Sequence, residues 1–338
     1  MPIRIHPYRL PLKRPWVAAA AILTERRGWL LEVIDENGIV GWGDCAPLPS
    51  AGTAHQARCR AALERLAATG AVRLEDPPEV RWAHETAVCD AEAQRRKLPL
   101  ARMLGASTLE VPVNAALGAL DDPCAERARA AATQGYRIGK IKVGIAPIDV
   151  ELTRLRQVAA ASELRLRLDA NRAWPEADAR RFLDAIVDLP IDGIEEPLAD
   201  PTCAGLARLQ ARLPFPIAAD ESLPRLGLDA LIDARAVRRL VIKPARIGGV
   251  SPTLTLAQGA RDAGIEVVLT SVVDSAVGVA AAAHLAAAIA PHLAHGLATG
   301  DWLAEDVAPP LPIVAGRLQL PDAPGIGHPP TARRAIHA

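Results

Sequence analysis

The stretch Leu164–Trp174, LRLRLDANRAW, decides the fold of this chain. Leucine occupies every second position at its start, and polar residues fill the positions between: Arg165, Arg167, Asp169 and Asn171. A period of two belongs to a β-strand, whose side chains point alternately to opposite faces. Taken alone, the pattern fits an exposed amphipathic strand as well as a strand with its polar face turned inward. Its neighbours along the chain decide between the two.

The composition excludes proteins that coat nucleic acids or membrane surfaces. The 338 residues carry 39 Lys plus Arg and 39 Asp plus Glu, so there is no excess of positive charge. Aromatic residues amount to 3%, too few for a base-stacking platform. The longest apolar run, 276–290, is interrupted by Gly278 and His284 and is typical of a buried helix rather than a membrane span. We expect no nucleic-acid partner and no membrane partner.

The cysteines and the N-terminus indicate the compartment. The five cysteines are scattered and contain no CxxC pair, which is typical of a reducing cytosol without disulfides or a zinc cluster. The first ten residues, MPIRIHPYRL, lack the apolar core of a signal peptide. The sequence therefore predicts a cytoplasmic protein and assigns it no oligomeric state.

Residues 1–108 read as a small α+β domain. Segments at 4–10, 16–24, 29–34 and 39–43 predict an antiparallel meander with turns at 25–28 and Asp35–Gly38. Helical periodicity follows at 53–68, where Thr53 can cap, and at 79–96. Strands followed by helices make a domain of this class.

From about residue 110, strands and helices alternate. The predicted strands are 111–117, 138–143, 164–171, 193–196, 217–221, 240–244, 267–271 and 295–299. Corresponding positions from Lys142 to Thr270 lie 27, 26, 25, 23 and 27 residues apart, the length of one βα unit. Eight strands at this pitch fit a closed barrel. An open doubly wound sheet would usually carry a glycine-rich loop after its first strand, and no GxGxxG follows 111–117.

We therefore predict an α/β fold with a (β/α)7β TIM-like barrel over residues 109–311. The Pro-rich segment 312–338 is expected to pack back on the domain of residues 1–108 and complete it.

Charged or amide side chains stand at the ends of five consecutive predicted strands: Lys140 and Lys142, Asp169 and Asn171, Glu195 and Glu196, Asp220 and Glu221, and Lys243. Catalytic groups of such barrels lie at the carboxyl ends of the strands. Each motif alone has an ordinary explanation, a solvated rim for the lysines and loop chemistry for the acids. Five in order and at even pitch favour a functional site.

Three carboxylates that converge in one pocket repel one another and need a divalent cation. An all-oxygen set of Asp169, Glu195 and Asp220 suits Mg2+ or Mn2+ rather than zinc. Lys142 and Lys243 fall on opposite sides of this set in a barrel cross-section. That arrangement suits removal of a proton α to the carboxylate of a small molecule, with the cation stabilising the enediolate.

The series KxK, LDAN, IEEP, DES, KP with a later GG, and SxxxSxxG at 271–278 resembles the muconate-cycloisomerase branch of the enolase superfamily over nearly the whole chain. Within that branch, the stretches 7–12, 41–49, 168–174, 270–278 and 295–300 are most similar to the o-succinylbenzoate synthase family. The resemblance implies that residues 1–108 cap the barrel. It also implies a Mg2+-dependent dehydratase that forms o-succinylbenzoate from 2-succinyl-6-hydroxy-2,4-cyclohexadiene-1-carboxylate. The reaction would be a syn elimination of water through an enediolate, in menaquinone or phylloquinone biosynthesis.

The resemblance also implies roles for residues. Asp169, Glu195 and Asp220 would be the metal ligands, Lys142 the base, and Lys243 the stabilising lysine on the opposite face. Lys140 would depress the pKa of Lys142 as a neighbouring cation. The ligands would be supported by hydrogen bonds from a second set of residues: Asn171, Glu221 and, by its parity in the strand, Arg167.

Substrate contacts are expected where the seventh and eighth strands end. The implied residues are Ser271, Asp274, Ser275 and Thr299. The helix beginning at 274–276 would hold the succinyl carboxylate at its N-terminus. Capping loops at 11–20 and 44–55, with Arg14, Trp16, Leu48 and Ser50, would select the substrate. Asp44, Thr270 and Asp274 depart from the residues more usual in the family.

Several alternatives remain at this point. N-succinylamino-acid racemases use the same lysine pair. Dipeptide epimerases are expected to carry Asp-x-Asp at the eighth strand, where this chain has Leu297-Ala298-Thr299. The start of the chain and the eighth strand disfavour a muconate cycloisomerase. A Schiff-base aldolase would not need three carboxylates, and a non-catalytic barrel would not need both lysines and acids.

Overall fold

The computed structural model of the chain describes residues 1–18 and 21–331. It begins with an antiparallel three-stranded sheet in the order β1-β2-β3. The strands are β1 (Ile3–Ala18), β2 (Ala21–Ile34) and β3 (Val40–Cys45). The hairpin predicted at Asp35–Gly38 is confirmed, because Asp35 Oδ1 accepts the amides of Asn37 and Ile39.

The turn predicted at 25–28 is wrong. β2 runs straight through these residues and pairs with β1 down to Ala18 opposite Ala21. The charged run Glu25-Arg26-Arg27 is accommodated because alternate side chains face opposite ways. Glu25 pairs with Arg9 across the ribbon, whereas Arg26 is buried and donates to carbonyls. Residues 19 and 20 of the predicted capping loop 11–20 lie outside the described residues, and residues 11–18 form a strand.

Helices pack on this sheet as predicted: α1 (Gln56–Thr69), α2 (Pro78–Arg95) and α3 (Leu100–Met103). His55 rather than Thr53 is the N-cap residue of α1, and Thr53 Oγ1 instead accepts the amide of Leu48. α2 lies so close to β3 that a Cβ at Gly41 or Gly43 would meet a helix carbonyl oxygen at 1.9 Å. Gly41 and Gly43 therefore permit the close packing of α2 on β3.

The rest of the chain forms a parallel seven-stranded sheet in the order β11-β10-β9-β8-β7-β6-β5, which confirms the predicted barrel class. Its strands are β5 (Ala115–Ala119), β6 (Ile138–Lys142), β7 (Arg165–Asp169), β8 (Ile191–Glu195), β9 (Ile217–Ala219), β10 (Arg239–Ile242) and β11 (Glu266–Leu269). The helices are α4 (Cys124–Thr133), α5 (Ile148–Ala161), α6 (Glu176–Asp184), α7 (Cys203–Gln210), α8 (Leu223–Leu226), α9 (Leu228–Asp233), α10 (Pro244–Ile247), α11 (Val250–Asp262) and α12 (Ala276–Ile289).

The barrel closes without a regular eighth strand among the described residues. The predicted strand 295–299 contributes two single parallel pairings, His295 with Val113 and Gly296 with Thr270. The predicted first strand, 111–117, is divided between β4 (Glu110–Pro112) and β5. Only two residues are thus needed to bridge the edges β11 and β5.

The C-terminal segment contacts both parts of the chain. Its strands β12 (Ile313–Val314) and β13 (Arg317–Gln319) form a small sheet with β4. Further on, Gly325 accepts the amide of Leu100, and Ile326 donates to Asp90 of α2. Of the predicted segment 312–338, residues 332–338 lie outside the described residues. The domain limits at 108 and 311 stay predictions.

α12 is an apolar helix that the fold buries almost completely. Across residues 1–18 and 21–331, no helix combines the length and the apolar character needed to cross a membrane.

Candidate active site

Charged residues end the neighbouring strands at one level of the barrel. Lys142, Asp169 and Glu195 are the last residues of β6, β7 and β8, and strand register places Asp169 beside both of the others. Asp220 and Lys243 directly follow β9 and β10. The regular βα pitch therefore brings the five side chains to the same edge of the sheet, as predicted.

The three carboxylates are buried and paired with cations. Asp169, Glu195 and Asp220 are 6%, 2% and 6% exposed. Lys140 Nζ lies 3.0 Å from Asp169 Oδ2 and also pairs with Glu195 Oε2. Lys243 pairs with Asp220.

These ion pairs determine the protonation of the site. Burial opposes ionisation of Asp169, yet Lys140 and Lys142 together bring the pKa of its carboxyl below the ordinary value. Burial raises the pKa of Glu195; Lys140 opposes this effect, and Asp169 adds to it. Burial also works against the charged form of Lys140, but the two carboxylates outweigh it and raise the pKa of the ammonium.

The donor set fits a hard divalent cation by its chemistry. Three buried carboxylates at adjacent strand ends offer only oxygen, the donor that Mg2+ and Mn2+ prefer. As the side chains stand, no three acidic, histidine or cysteine groups of residues 1–18 and 21–331 are arranged to hold a metal ion. The ammonium group of Lys140 instead lies between Asp169 and Glu195.

A belt of hydrogen bonds links the loops after β7, β8 and β9. Asn171 donates to Glu221 Oε1 at 3.1 Å, as expected of a supporting pair. Glu196 Oε1 accepts the amide of Asp220 at 2.7 Å and both the amide and the hydroxyl of Ser222. Glu196 was noted at the strand end in the sequence but was given no role, although its place directly after a predicted ligand was a signal.

Arg246 was missed. Its Nη1 lies 3.2 Å from Asp220 Oδ1, so two cations flank this carboxylate. The signal was its position one helical turn beyond Lys243. A Cβ on Gly52 would lie 3.3 Å from the Arg246 guanidinium, which places the predicted capping loop 44–55 against the barrel mouth. The side chains of Arg14 and Trp16 lie outside what the structure describes.

Arg167 was predicted to support the metal ligands, but its hydrogen-bond partners are other groups. Arg167 donates to Asp192 at 2.9 Å and to the carbonyl of Ala294 at 2.8 Å. Arg239 binds the same Asp192 oxygen at 2.7 Å. The alternation of β7 does turn Arg167 into the barrel lumen, as predicted. Arg167 lies two residues before Asp169, however, and therefore reaches groups deeper in the barrel than the predicted ligands. It acts on Glu195 only through space, where its charge opposes the rise that burial causes in the pKa of this carboxyl.

The structure contradicts the expected role of the α12 N-terminus as a free carboxylate site. The amide of Ser275 donates to Asp44 at 3.0 Å, and the amide of Ala276 donates to Asp306 at 3.0 Å. The protein's own carboxylates therefore occupy these amides. Asp274 Oδ1 is buried without a hydrogen-bond partner. Ser271 and Thr299 do come together, with hydroxyl oxygens 2.9 Å apart.

Comparison with known proteins gives the family. Residues 123–334, more than half of the chain, match the family described as enolase C-terminal domain-like. The chain belongs to the enolase superfamily. In this superfamily member, residues 2–90 match the N-terminal domain of MenC.

Two kinds of relatives resemble this superfamily member. A hydrophobic dipeptide epimerase from Flavobacteria bacterium (strain MS024-2A) is 29% identical over 311 residues, which cover 87% of this chain and 88% of the relative. An o-succinylbenzoate synthase from Mycobacterium bovis (strain BCG / Pasteur 1173P2) is 40% identical over 214 residues, which cover 59% of this chain and 63% of the relative. The relatives thus support an enzyme of this superfamily, and the full-length similarity is to epimerases.

Solved structures agree with the fold. The substrate complex of the L-Ala-D/L-Glu epimerase from Bacillus subtilis has a TM-score of 0.88 at 24% identity, covering 98% of this chain and 99% of that one. A dipeptide epimerase from Methylococcus capsulatus, in complex with Mg and L-Arg-D-Lys, has a TM-score of 0.83 at 28% identity, covering 96% and 98%.

Proposed function

We propose that this enzyme removes the proton α to a carboxylate with the help of Mg2+ and returns a proton to the same carbon, as racemases and epimerases do. The observation that carries the proposal is the opposition of two lysines around three carboxylates. Lys142 ends β6 and Lys243 follows β10, with β7, β8 and β9 between them in the sheet. The two lysines therefore stand on opposite sides of the barrel.

Lys142 and Lys243 act on opposite faces of the substrate α-carbon. Lys142 takes the α-proton of one enantiomer, and Lys243 delivers a proton to the opposite face; the roles reverse for the other enantiomer. Asp169, Glu195 and Asp220 would hold Mg2+, to which they bring only oxygen donors. Bound Mg2+ would supply positive charge where negative charge develops on the substrate carboxylate. The capping loop around Gly52 lies against Arg246 at the barrel mouth, where it would exclude water.

The preferred substrate is an N-acylated amino acid, as for an N-succinylamino-acid racemase. A dipeptide brings a free ammonium group, which needs a carboxylate partner at the eighth strand. Leu297-Ala298-Thr299 provides none there. The similarity to dipeptide epimerases supports the reaction type, and this segment argues for a neutral N-acyl group in place of the ammonium.

A second candidate is the dehydration catalysed by o-succinylbenzoate synthases. It is favoured by the match of residues 2–90 to the MenC N-terminal domain and by the 40% identity over 214 residues. In that reaction Lys142 would remove the proton and assist departure of hydroxide on the same face, while Lys243 would stabilise charge from the other.

A parallel assay in deuterium oxide tests the proposal. Purified protein with Mg2+ is incubated with N-succinyl-L-amino acids, with L-Ala-L-Glu, or with 2-succinyl-6-hydroxy-2,4-cyclohexadiene-1-carboxylate. Chirality, deuterium at the α-carbon and aromatisation are followed. We expect racemisation of the N-succinyl compounds with deuterium incorporation and loss of the reaction after chelation.

Aromatisation without racemisation would replace the proposal by the second candidate. Epimerisation of the dipeptide alone would overturn the substrate class but keep the reaction type. Activity that survives chelation would contradict the metal-dependent mechanism and favour Schiff-base chemistry.

A further inference from the structure

Glu196 follows the predicted ligand Glu195 and is 1% exposed. Its Oε1 accepts three hydrogen bonds, at 2.7 Å from the amide of Asp220, 2.8 Å from the amide of Ser222 and 2.6 Å from the hydroxyl of Ser222. Its Oε2 is buried without a partner. One carboxylate oxygen therefore holds both ends of the three-residue loop 220–222.

The backbone of Glu196 is itself strained in order to reach this loop. Its φ is +46°, in the left-handed region, which is unfavourable for a residue with a Cβ. Neighbouring strands hold the conformation, because Glu196 donates its amide to Ala218 and accepts the amide of Arg172. Glu195 meets Lys140, whereas the side chain of Glu196 reaches the loop after β9.

The loop carries Asp220, whose carboxylate already meets two cations, Lys243 and Arg246. Attraction to these two cations by itself would draw the Asp220 side chain towards Lys243 and Arg246. The bond from its amide to Glu196 instead fixes the backbone from which the side chain departs. Ser222 begins α8 without capping it through its side chain, since its hydroxyl donates to Glu196.

We propose that Glu196 is a positioning residue that holds Asp220 at the level of Asp169 and Glu195, so that the three carboxylates bind one divalent cation. The inference rests on the proposed function, in which Asp220 is a metal ligand. It requires no contact between Glu196 and the cation. Groups that orient metal ligands typically change metal affinity by 10–100-fold when they are removed.

The chain offers a matched control in Glu151. This carboxylate is 0% exposed and accepts three amides, those of Gly144, Ile145 and Ala146, at 2.9, 2.8 and 3.1 Å. It ties the loop after β6, which carries no predicted ligand. Removing Glu151 thus costs the same number of hydrogen bonds to a buried carboxylate, at a different strand end.

The test measures Mn2+ binding to the full-length apo protein by electron paramagnetic resonance, together with thermal unfolding. Wild type, Glu196→Ala, Glu196→Gln, Ser222→Ala and Glu151→Ala are compared. We expect Glu196→Ala to weaken Mn2+ binding at least tenfold. Glu196→Gln keeps a carbonyl acceptor and should recover part of the affinity, and Ser222→Ala should lose about threefold. Glu151→Ala should stay within twofold of wild type in affinity, although its unfolding midpoint falls.

Equal Mn2+ affinity in wild type and Glu196→Ala would overturn the inference, as would an equal loss in Glu151→Ala. If Glu196→Ala does not fold, wild-type Mn2+ affinity in both Glu196→Gln and Ser222→Ala would likewise overturn the inference. Failure of the wild type to bind Mn2+ would instead contradict the proposed function itself and remove the basis of the inference.

Discussion

Single buried charges in this barrel are stabilised by partners on other strands. Asp169 and Glu195 share Lys140, Asp220 has Lys243, and Arg167 has Asp192. Removing one member of such a pair leaves an uncompensated buried charge, which commonly costs 3–5 kcal/mol. Substitutions at Lys140 would therefore confound stability with function. Lys142 is the proposed base, so its substitution tests the chemistry directly.

We expect Lys142→Ala to reduce turnover at least about 100-fold, because a general base typically contributes 10²–10⁴ in rate. The variant should remain folded and should still bind Mn2+. Steady-state kinetics on the substrate identified above, with the exposed Lys97→Gln as control, provide the measurement. Near-normal turnover in Lys142→Ala would rule out the proposed role of this lysine.

Among the elements, α12 of the barrel is hydrogen-bonded directly to the capping domain. Its first amides donate to Asp44, which lies in β3, and to Asp306. The hydroxyl of Ser275 serves the same interface, at 2.8 Å from Asp44. Carboxylates at a helix N-terminus are favoured by the helix dipole and by the unsatisfied amides. Asp44 of the sheet and the start of a barrel helix therefore form one contact.

Gly278 in the first turn of α12 is predicted to be intolerant of a side chain. A Cβ there would lie 2.5 Å from Asp44 Oδ2 and 2.9 Å from the Asp274 Cβ. We expect Gly278→Ala to destabilise the protein by about 1–3 kcal/mol through this overlap, more than the roughly 1 kcal/mol gained in helix propensity. Thermal unfolding provides the measurement.

Gly259→Ala in α11 is the matched control for that substitution. Its Cβ would approach only one described side chain, Leu228, at 3.2 Å. It should leave the unfolding midpoint unchanged or raise it slightly. If both variants unfold at the same temperature, the close approach of Asp44 to α12 is not what makes glycine necessary at 278.

In the whole molecule, sheet and barrel meet across a buried polar interface. Arg26 from β2 donates to the carbonyls of Ala46, Pro47 and Val273, so one guanidinium joins the capping loop to the loop after β11. Tyr8 donates to Asp44 at 2.8 Å. Burial, with Asp44 adding to it, raises the pKa of Asp274 to about 7. Burial likewise raises the pKa of Asp306 to about 7.

These pKa values predict how stability depends on pH. A carboxyl whose pKa rises from 3.8 to about 7 on folding binds its proton more tightly in the folded state. The stability that it contributes is complete below about pH 4 and is lost as the pH rises through 7. The charged and titratable groups facing Asp274 from the packed elements are Tyr8, Arg26 and Asp44, and Asp306 faces Asp44. Ionisation therefore opposes docking of the capping domain above neutral pH.

Asp274→Asn should remove the part of this dependence that comes from Asp274 and leave the part that comes from Asp306. We expect the variant to be more stable than wild type at pH 8 by on the order of 3 kcal/mol and similar to it at pH 4, since one pKa unit corresponds to about 1.4 kcal/mol. Urea unfolding between pH 4 and 8 is the measurement, and the exposed Asp233→Asn is the control. A constant difference between variant and wild type across this range would show that Asp274 does not titrate with the fold.

Much of the fold and of the site could be predicted because the signals are local. The alternation in 164–171 and the even βα pitch place Lys142, Asp169, Glu195, Asp220 and Lys243 at one edge of the barrel, where the structure has them. The course of the first ribbon could not be predicted. Glu25-Arg26-Arg27 has the composition of a turn, and only pairing with β1 and the carbonyls around Arg26 keep it extended.

The stretch LRLRLDANRAW by itself determined a strand with one apolar and one polar face, and the neighbouring units determined that the polar face lines a barrel. Only the tertiary structure decided the partners. Arg167 binds Asp192, the α12 amides bind Asp44 and Asp306, and Glu196 holds the loop of Asp220. The periodicity that makes a strand or a helix acts between near neighbours. The hydrogen-bond partners lie 24 to 231 positions apart in the sequence, and folding alone brings them into contact.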